Sequence, residues 1–106
     1  MKFADIFKQP DINRSIQQFR TQGNAVLLDV RTCEEYAQGH IPGSINLPLA
    51  GISAADQYIP ATDTPVYVHC HSGARSARAA VLLRQMGYSN VQNIGGISSY
   101  TGKTEV

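Results

Sequence analysis

Two apolar runs of strand length, Ala25-Val26-Leu27-Leu28-Asp29-Val30 and Val66-Tyr67-Val68-His69, constrain the fold of this chain more than any other feature. Apolar residues at consecutive rather than alternate positions mark strands buried on both faces, as in a parallel sheet. Around these runs the pattern turns helical. Pro10 to Gln22 reads as an amphipathic helix with Ile12, Ile16 and Phe19 on one face and Gly23 as its stop. Thr32-Cys33-Glu34-Glu35 is a capping-box pattern that starts a short helix toward Gln38. Gly39-His40-Ile41-Pro42-Gly43 is a turn, and Ser44 to Leu47 follows as a second short strand. A short helix is expected through Ala54 to Tyr58. Beyond Ser76 a helix carries Ala79, Leu82, Leu83 and Met86 on one stripe and ends at Gly87. Val91 to Ile94 is the last strand, and Gly95-Gly96 leads into a final turn or short helix. Strands alternating with helices predict an α/β fold: a small, mostly parallel sheet flanked by helices on both faces.

At 106 residues the chain has the size of one domain, taken here as residues 1–106, and can bury a core without metal or disulfide staples. A net charge of +1, with Lys and Arg scattered, offers no field for nucleic acid and no basic stripe for a membrane surface. No segment approaches the ~20 apolar residues of a bilayer span. The N-terminal MKFADIFKQPD lacks the apolar core of a signal peptide, so a cytoplasmic location is expected. Two cysteines, Cys33 and Cys70, are too few for a secreted disulfide framework, which makes chemistry the better reason to look at them.

Functional loops of such sheets lie at the carboxyl ends of the strands, and Cys70 stands at one. A strand that runs into Cys70-His71-Ser72-Gly73-Ala74-Arg75-Ser76 and then a helix curls its backbone N–H groups over the helix N-terminus. Converging amides form an anion nest, and the helix end adds positive partial charge. Gly73 allows close passage of the chain, and Arg75 supplies a fixed charge to clamp the loop or an incoming oxyanion. A free thiol titrates near ~8.5; lowering it by about two units raises the thiolate fraction at neutral pH roughly 20-fold. The C-x4-R spacing makes a smaller cup than the C-x5-R loop of cysteine phosphatases, one suited to a sulfur atom.

Cys70 through Ala80 closely resembles the active-site loop of single-domain rhodaneses. Three further stretches agree in order and spacing: Leu28-Asp29-Val30-Arg31 with Glu34-Glu35-Tyr36, Gly39 through Asn46, and Gly87-Tyr88 followed by Gly95-Gly96-Ile97. The resemblance spans roughly residues 11–100. It implies a rhodanese-like domain and a thiosulfate sulfurtransferase that moves sulfane sulfur to a thiophilic acceptor. Carried over residue by residue, it makes Cys70 the nucleophile and persulfide carrier. The amides of His71, Ser72, Gly73, Ala74, Arg75 and Ser76 become the cradle, which Arg75 and Ser76 close, and Asp29 and Arg31 become supporting scaffold. The implied partners are a small donor such as thiosulfate and a cyanide, thiol or protein-thiol acceptor. No cofactor and no metal are required. Cys33 stands where relatives often carry proline, Tyr100 where tryptophan is common, and His71 where arginine is frequent.

Other readings compete with these. His69, Cys70 and His71 are adjacent, but consecutive side chains point in different directions and no further cluster completes a metal site. His40 reads as a hydrogen-bonded turn residue. Cys33, at the start of its helix and on the same sheet edge as Cys70, is a possible resolving thiol, provided the Cα atoms come within about 7 Å. The alternatives to an enzyme of this kind are a non-catalytic rhodanese-like binding or regulatory module and a cysteine-based phosphatase or arsenate reductase.

Overall fold

The computed structural model describes residues 10–106. The expectations drawn from residues 1–9, the missing signal-peptide core and the first part of the single-domain span, lie outside the described residues. The chain alternates helices and strands in the expected order. Helix α1 is Ile12–Arg20, β1 Val26–Asp29, α2 Cys33–Ala37 and β2 Ser44–Asn46. A 3₁₀ helix, Leu49–Gln57, leads to β3, Val66–Cys70; then come α3, Ala74–Gln85, β4, Val91–Gly96, and a last 3₁₀ turn, Ile97–Ser99. The four strands pair in the order β2-β1-β3-β4, every pair parallel.

Both central strands are buried along their whole length, as their unbroken apolar runs require. Strand periodicity then divides their side chains between two cores. Leu28, Val30, Val66, Val68 and Cys70 pack on one face with Ala79, Ala80 and Leu83 of α3 and Ile52 and Ala55 of the 3₁₀ helix. Leu27, Tyr67 and Ile94 face the other way, against Ile12 and Ile16 of α1 and Ile41. Helices therefore cover both faces. Fully burying a Leu such as Leu27 or Leu28 contributes about 1.5–3 kcal/mol.

Local signals set the element ends. The side chain of Asp11 caps α1 by accepting from the Arg14 N–H. The Thr32–Glu35 capping box forms in both directions. Two details differ from the sequence reading. The helix expected over Ala54–Tyr58 is a longer 3₁₀ segment that starts at Leu49 and is interrupted at Gly51, whose backbone leaves the helical region. The buried stripe of α3 is Ser76, Ala79, Ala80 and Leu83, whereas Met86 is the C-cap and exposed. The helix already starts at Ala74, so Ser76 lies in its first turn on the buried face, and Met86 comes after its last residue.

Candidate active site

Cys70 is the last residue of β3, a strand flanked by β1 and β4, and only 1% of it is exposed. Beyond it the chain folds back in three residues. Gly73 adopts a left-handed backbone (φ 106°), which turns its own N–H onto the cysteine at 3.0 Å from Sγ. Helix α3 starts at the next residue, so its N-terminal amides face the same sulfur. Ser76, fully buried in the first turn, adds a hydroxyl 3.5 Å from Sγ.

Burial is the largest single influence on the thiol and pushes its pKa up. The Ser76 hydroxyl and the N–H groups of Ser76, Gly73 and Ser72 push the other way and together win, so Cys70 titrates below an ordinary cysteine. Of the cradle residues expected, Ser72, Gly73 and Ser76 donate to the sulfur; His71 and Ala74 are exposed parts of the same turn.

Arg75 is not left open toward the sulfur. Its Nη1 and Nη2 donate to the two carboxylate oxygens of Glu35 on α2, at 2.6 and 3.0 Å. That bidentate pair clamps the loop after β3 to the helix after β1. The Arg75 pKa is raised, first by the Glu35 hydrogen bond; burial opposes, and the charges of Glu35, Cys70 and Asp29 add to the rise. Glu35 is correspondingly held at about 2, first by the Arg75 hydrogen bond and then by the N–H of Thr32.

Asp29 and Arg31 form a buried pair on the opposite face of the sheet. Arg31 Nη2 lies 2.7 Å from Asp29 Oδ2, its Nε donates to both carboxylate oxygens at 3.0 Å, and Nη2 also reaches the Gly39 carbonyl at 2.8 Å. This pair ties the end of β1 to the turn before β2. His69 lies beside it, its Nε2 3.8 Å from Asp29 Oδ2. Its Nδ1 sits 3.3 Å from the Cys70 carbonyl, which can only accept, so Nδ1 carries the proton. Nε2 has no hydrogen-bond partner among the described residues. Burial lowers the His69 pKa more than the nearby Asp29 charge raises it, so the ring is neutral at pH 7.

His69 and Cys70 thus face opposite sides of the sheet, and His71 is exposed. Cys33 occupies the first position of α2 as an exposed free thiol. His40 is a turn residue: its Nδ1 meets the Tyr36 carbonyl at 3.0 Å and its ring stacks on Tyr36.

Two site residues escaped the sequence reading. Asn93 on β4 takes the Ser76 hydroxyl proton at 2.7 Å and the Gly95 N–H at 3.1 Å, which orients the serine under the sulfur. A polar residue inside a strand is unusual, and that was the available signal. Gly96 pairs with Cys70 across the sheet. A Cβ there would collide with the His71 carbonyl oxygen and stand 2.6 Å from Ser72 Cα.

A cysteine sulfur lined by backbone N–H groups at the end of a central parallel strand matches a known family. The family model for the rhodanese-like domain matches residues 13–103, and the chain belongs to that family. It is 38% identical over 71 residues to the thiosulfate sulfurtransferase PspE of Escherichia coli, covering 66% of this chain and 68% of that one. It is also 40% identical over 80 residues to the candidate sulfur carrier protein YrkF of Bacillus subtilis, matching 74% of this chain but spanning only 43% of that relative's length. The structure of the human single-domain sulfurtransferase TSTD1 superimposes with a TM-score of 0.75 at 27% identity, covering 88% of this chain and 96% of that one. No helix among the described residues is long and apolar enough to cross a membrane.

Proposed function

We propose that this chain is a sulfurtransferase that carries sulfane sulfur as a persulfide on Cys70. One observation supports it above the others: a buried sulfur whose neighbours are hydrogen-bond donors, with Gly73 N–H at 3.0 Å and the Ser76 hydroxyl at 3.5 Å. The same donors that favour a thiolate would hold the terminal sulfur of a persulfide anion. In the first displacement the Cys70 thiolate attacks the outer sulfur of a donor such as thiosulfate. A new S–S bond forms, the donor's S–S bond breaks, and sulfite leaves with the electron pair. In the second, cyanide, a thiol or a protein thiol attacks the persulfide's outer sulfur and releases the Cys70 thiolate.

Arg75 fastens the loop to α2, and the Asp29–Arg31 pair fixes the strand end beside it. The relatives named as sulfurtransferases support the reaction class. The chemistry suits a reducing compartment, and we assign the domain to the cytoplasm, where Cys33 and Cys70 stay free thiols.

The test is thiosulfate-to-cyanide transfer by the wild type beside Cys70→Ala, with mass analysis for labile sulfur on the protein. Turnover and bound sulfur that vanish together in the variant are the expected result. Equal rates in the two proteins would refute the mechanism. No turnover and no bound sulfur in the wild type would leave a non-catalytic binding module.

A further inference from the structure

The two arginines at these strand ends already hold carboxylate partners. Arg75, the charged residue of the loop, has both Nη groups on Glu35. Glu35 is itself anchored, because its Oε1 also accepts from the Thr32 N–H at 3.0 Å and the Thr32 hydroxyl at 3.1 Å. The counter-ion is therefore built into the α2 capping box and is not a mobile surface carboxylate. Arg31, the other arginine at these strand ends, is buried against Asp29 and the Gly39 carbonyl. The positive field left for a substrate comes from the loop amides and the N-terminus of α3, equivalent to about half a charge. That suffices for one thiolate or persulfide.

The donor's charge then decides which encounters succeed. Thiosulfate brings two negative charges to a thiolate, three in all. A hydropersulfide reacts as neutral R–S–SH, which brings none; its ionised form brings one, still one fewer than thiosulfate. Its transfer balances directly: the thiolate pair forms a bond to the outer sulfur and the donor's S–S bond breaks. R–S⁻ leaves, and the proton of the outer sulfur passes to it. Cys70–S–S⁻ and R–SH result, with one negative charge on each side.

We propose that Glu35 is a specificity-determining residue: by holding Arg75 it leaves the cradle poor in positive charge and selects hydropersulfide donors over thiosulfate. It acts through Arg75, and the assignment rests on the Cys70 sulfur transfer proposed above.

The experiment compares kcat/KM for thiosulfate and for 2-hydroxyethyl hydropersulfide, whose chain carries no charge, in the wild type, Glu35→Gln and Glu35→Gln/Arg75→Gln. Glutamine keeps a capping acceptor while removing the charge. The thiosulfate-to-hydropersulfide ratio is expected to rise about 10-fold in Glu35→Gln, mainly through a lower KM for thiosulfate. It should return toward the wild-type ratio in the double variant. A ratio that stays put or falls in folded Glu35→Gln overturns the assignment. Should that variant fail to fold, the wild type decides: added salt screens like charges, so its thiosulfate kcat/KM should rise relative to hydropersulfide. A relative fall with salt overturns the assignment. Absence of sulfur on Cys70 with both donors would instead refute sulfur transfer itself, whereas bound sulfur with an unmoved ratio would remove only the role of Glu35.

Discussion

Replacing Ser76 with alanine should raise the Cys70 pKa by about 0.7 of a unit, a shift that follows from counting one proton. The Ser76 hydroxyl has a single hydrogen and four acceptors in reach: Asn93 Oδ1 at 2.7 Å, the Gly73 carbonyl at 3.0 Å, the Gly95 carbonyl at 3.4 Å and Cys70 Sγ at 3.5 Å. While Cys70 is a neutral thiol, the hydrogen belongs to Asn93. Once the sulfur is ionised, a charge-assisted bond worth about 1.5–3 kcal/mol competes with a neutral one worth about 0.5–1.5 kcal/mol. The difference, about 1 kcal/mol, is what alanine removes, and at 1.36 kcal/mol per unit it gives about 0.7. The thiolate fraction below both midpoints then falls about 5-fold. Thiolate ultraviolet absorbance against pH reads this directly, and the rate of iodoacetamide alkylation is an independent check. Asn93→Ala should move the midpoint the opposite way, because the hydroxyl loses its best competing acceptor. General loosening of the loop would not give opposite signs. An unmoved or lowered midpoint in folded Ser76→Ala would refute the hydroxyl's part in holding the thiolate.

Further outcomes follow from neighbouring contacts. Gly96→Ala should cost about 1–3 kcal/mol in denaturant unfolding and about 100-fold in sulfur transfer, because the new Cβ displaces the His71–Ser72 backbone; Gly23→Ala, with open space around it, should leave the cradle's chemistry intact. Asp29→Ala strands the buried Arg31 charge and should cost about 3–5 kcal/mol, and a loss under about 1 kcal/mol would show that the pair is not structural. Glu35, held at about 2 instead of 4.5, gives stability that is present above pH 4.5 and lost as pH falls toward 2, since the unfolded chain binds the proton first. The pair is about one-third exposed, so the wild-type advantage over Glu35→Gln at neutral pH should be only about 1 kcal/mol and should vanish near the lower limit.

What could be read from the sequence was governed by local rules. The unbroken apolar run from Val66 to His69 names a central strand whatever lies around it, and the capping box at Thr32 and Glu35 closes within one helical turn. The cradle too is local, since Cys70, Gly73 and Ser76 are bound within seven residues of chain. Asn93 joins Ser76 across a separation of 17 residues and Glu35 joins Arg75 across 40, and neither distance carries a periodic signal. Glu35 was visible as a cap and Gly96 as a turn residue; their second roles arise only when β1, β3 and β4 lie side by side. The 3₁₀ segment from Leu49 was misread for a related reason. It has no amphipathic stripe and exists because Ile52 and Ala55 seal the face that α3 leaves uncovered.

The site's chemistry depends on burial and hydrogen bonding acting on the same atom. Burial alone would make Cys70 a poor acid, and it is the strongest single influence on the thiol. The same burial strips water from the donors that face the sulfur, so each N–H is worth more to an anion there than at the surface. The thiolate is therefore favoured only while the loop keeps its shape, which the left-handed Gly73 and the missing side chain at Gly96 both serve. A loop displaced by a fraction of an ångström would keep the burial and lose the donors, and the thiol pKa would rise instead of relaxing to its ordinary value. Variants that disturb the loop without unfolding the sheet should then react more slowly than an exposed cysteine such as Cys33 in the same molecule. Relative labelling of the two thiols in one sample measures that reversal with an internal standard.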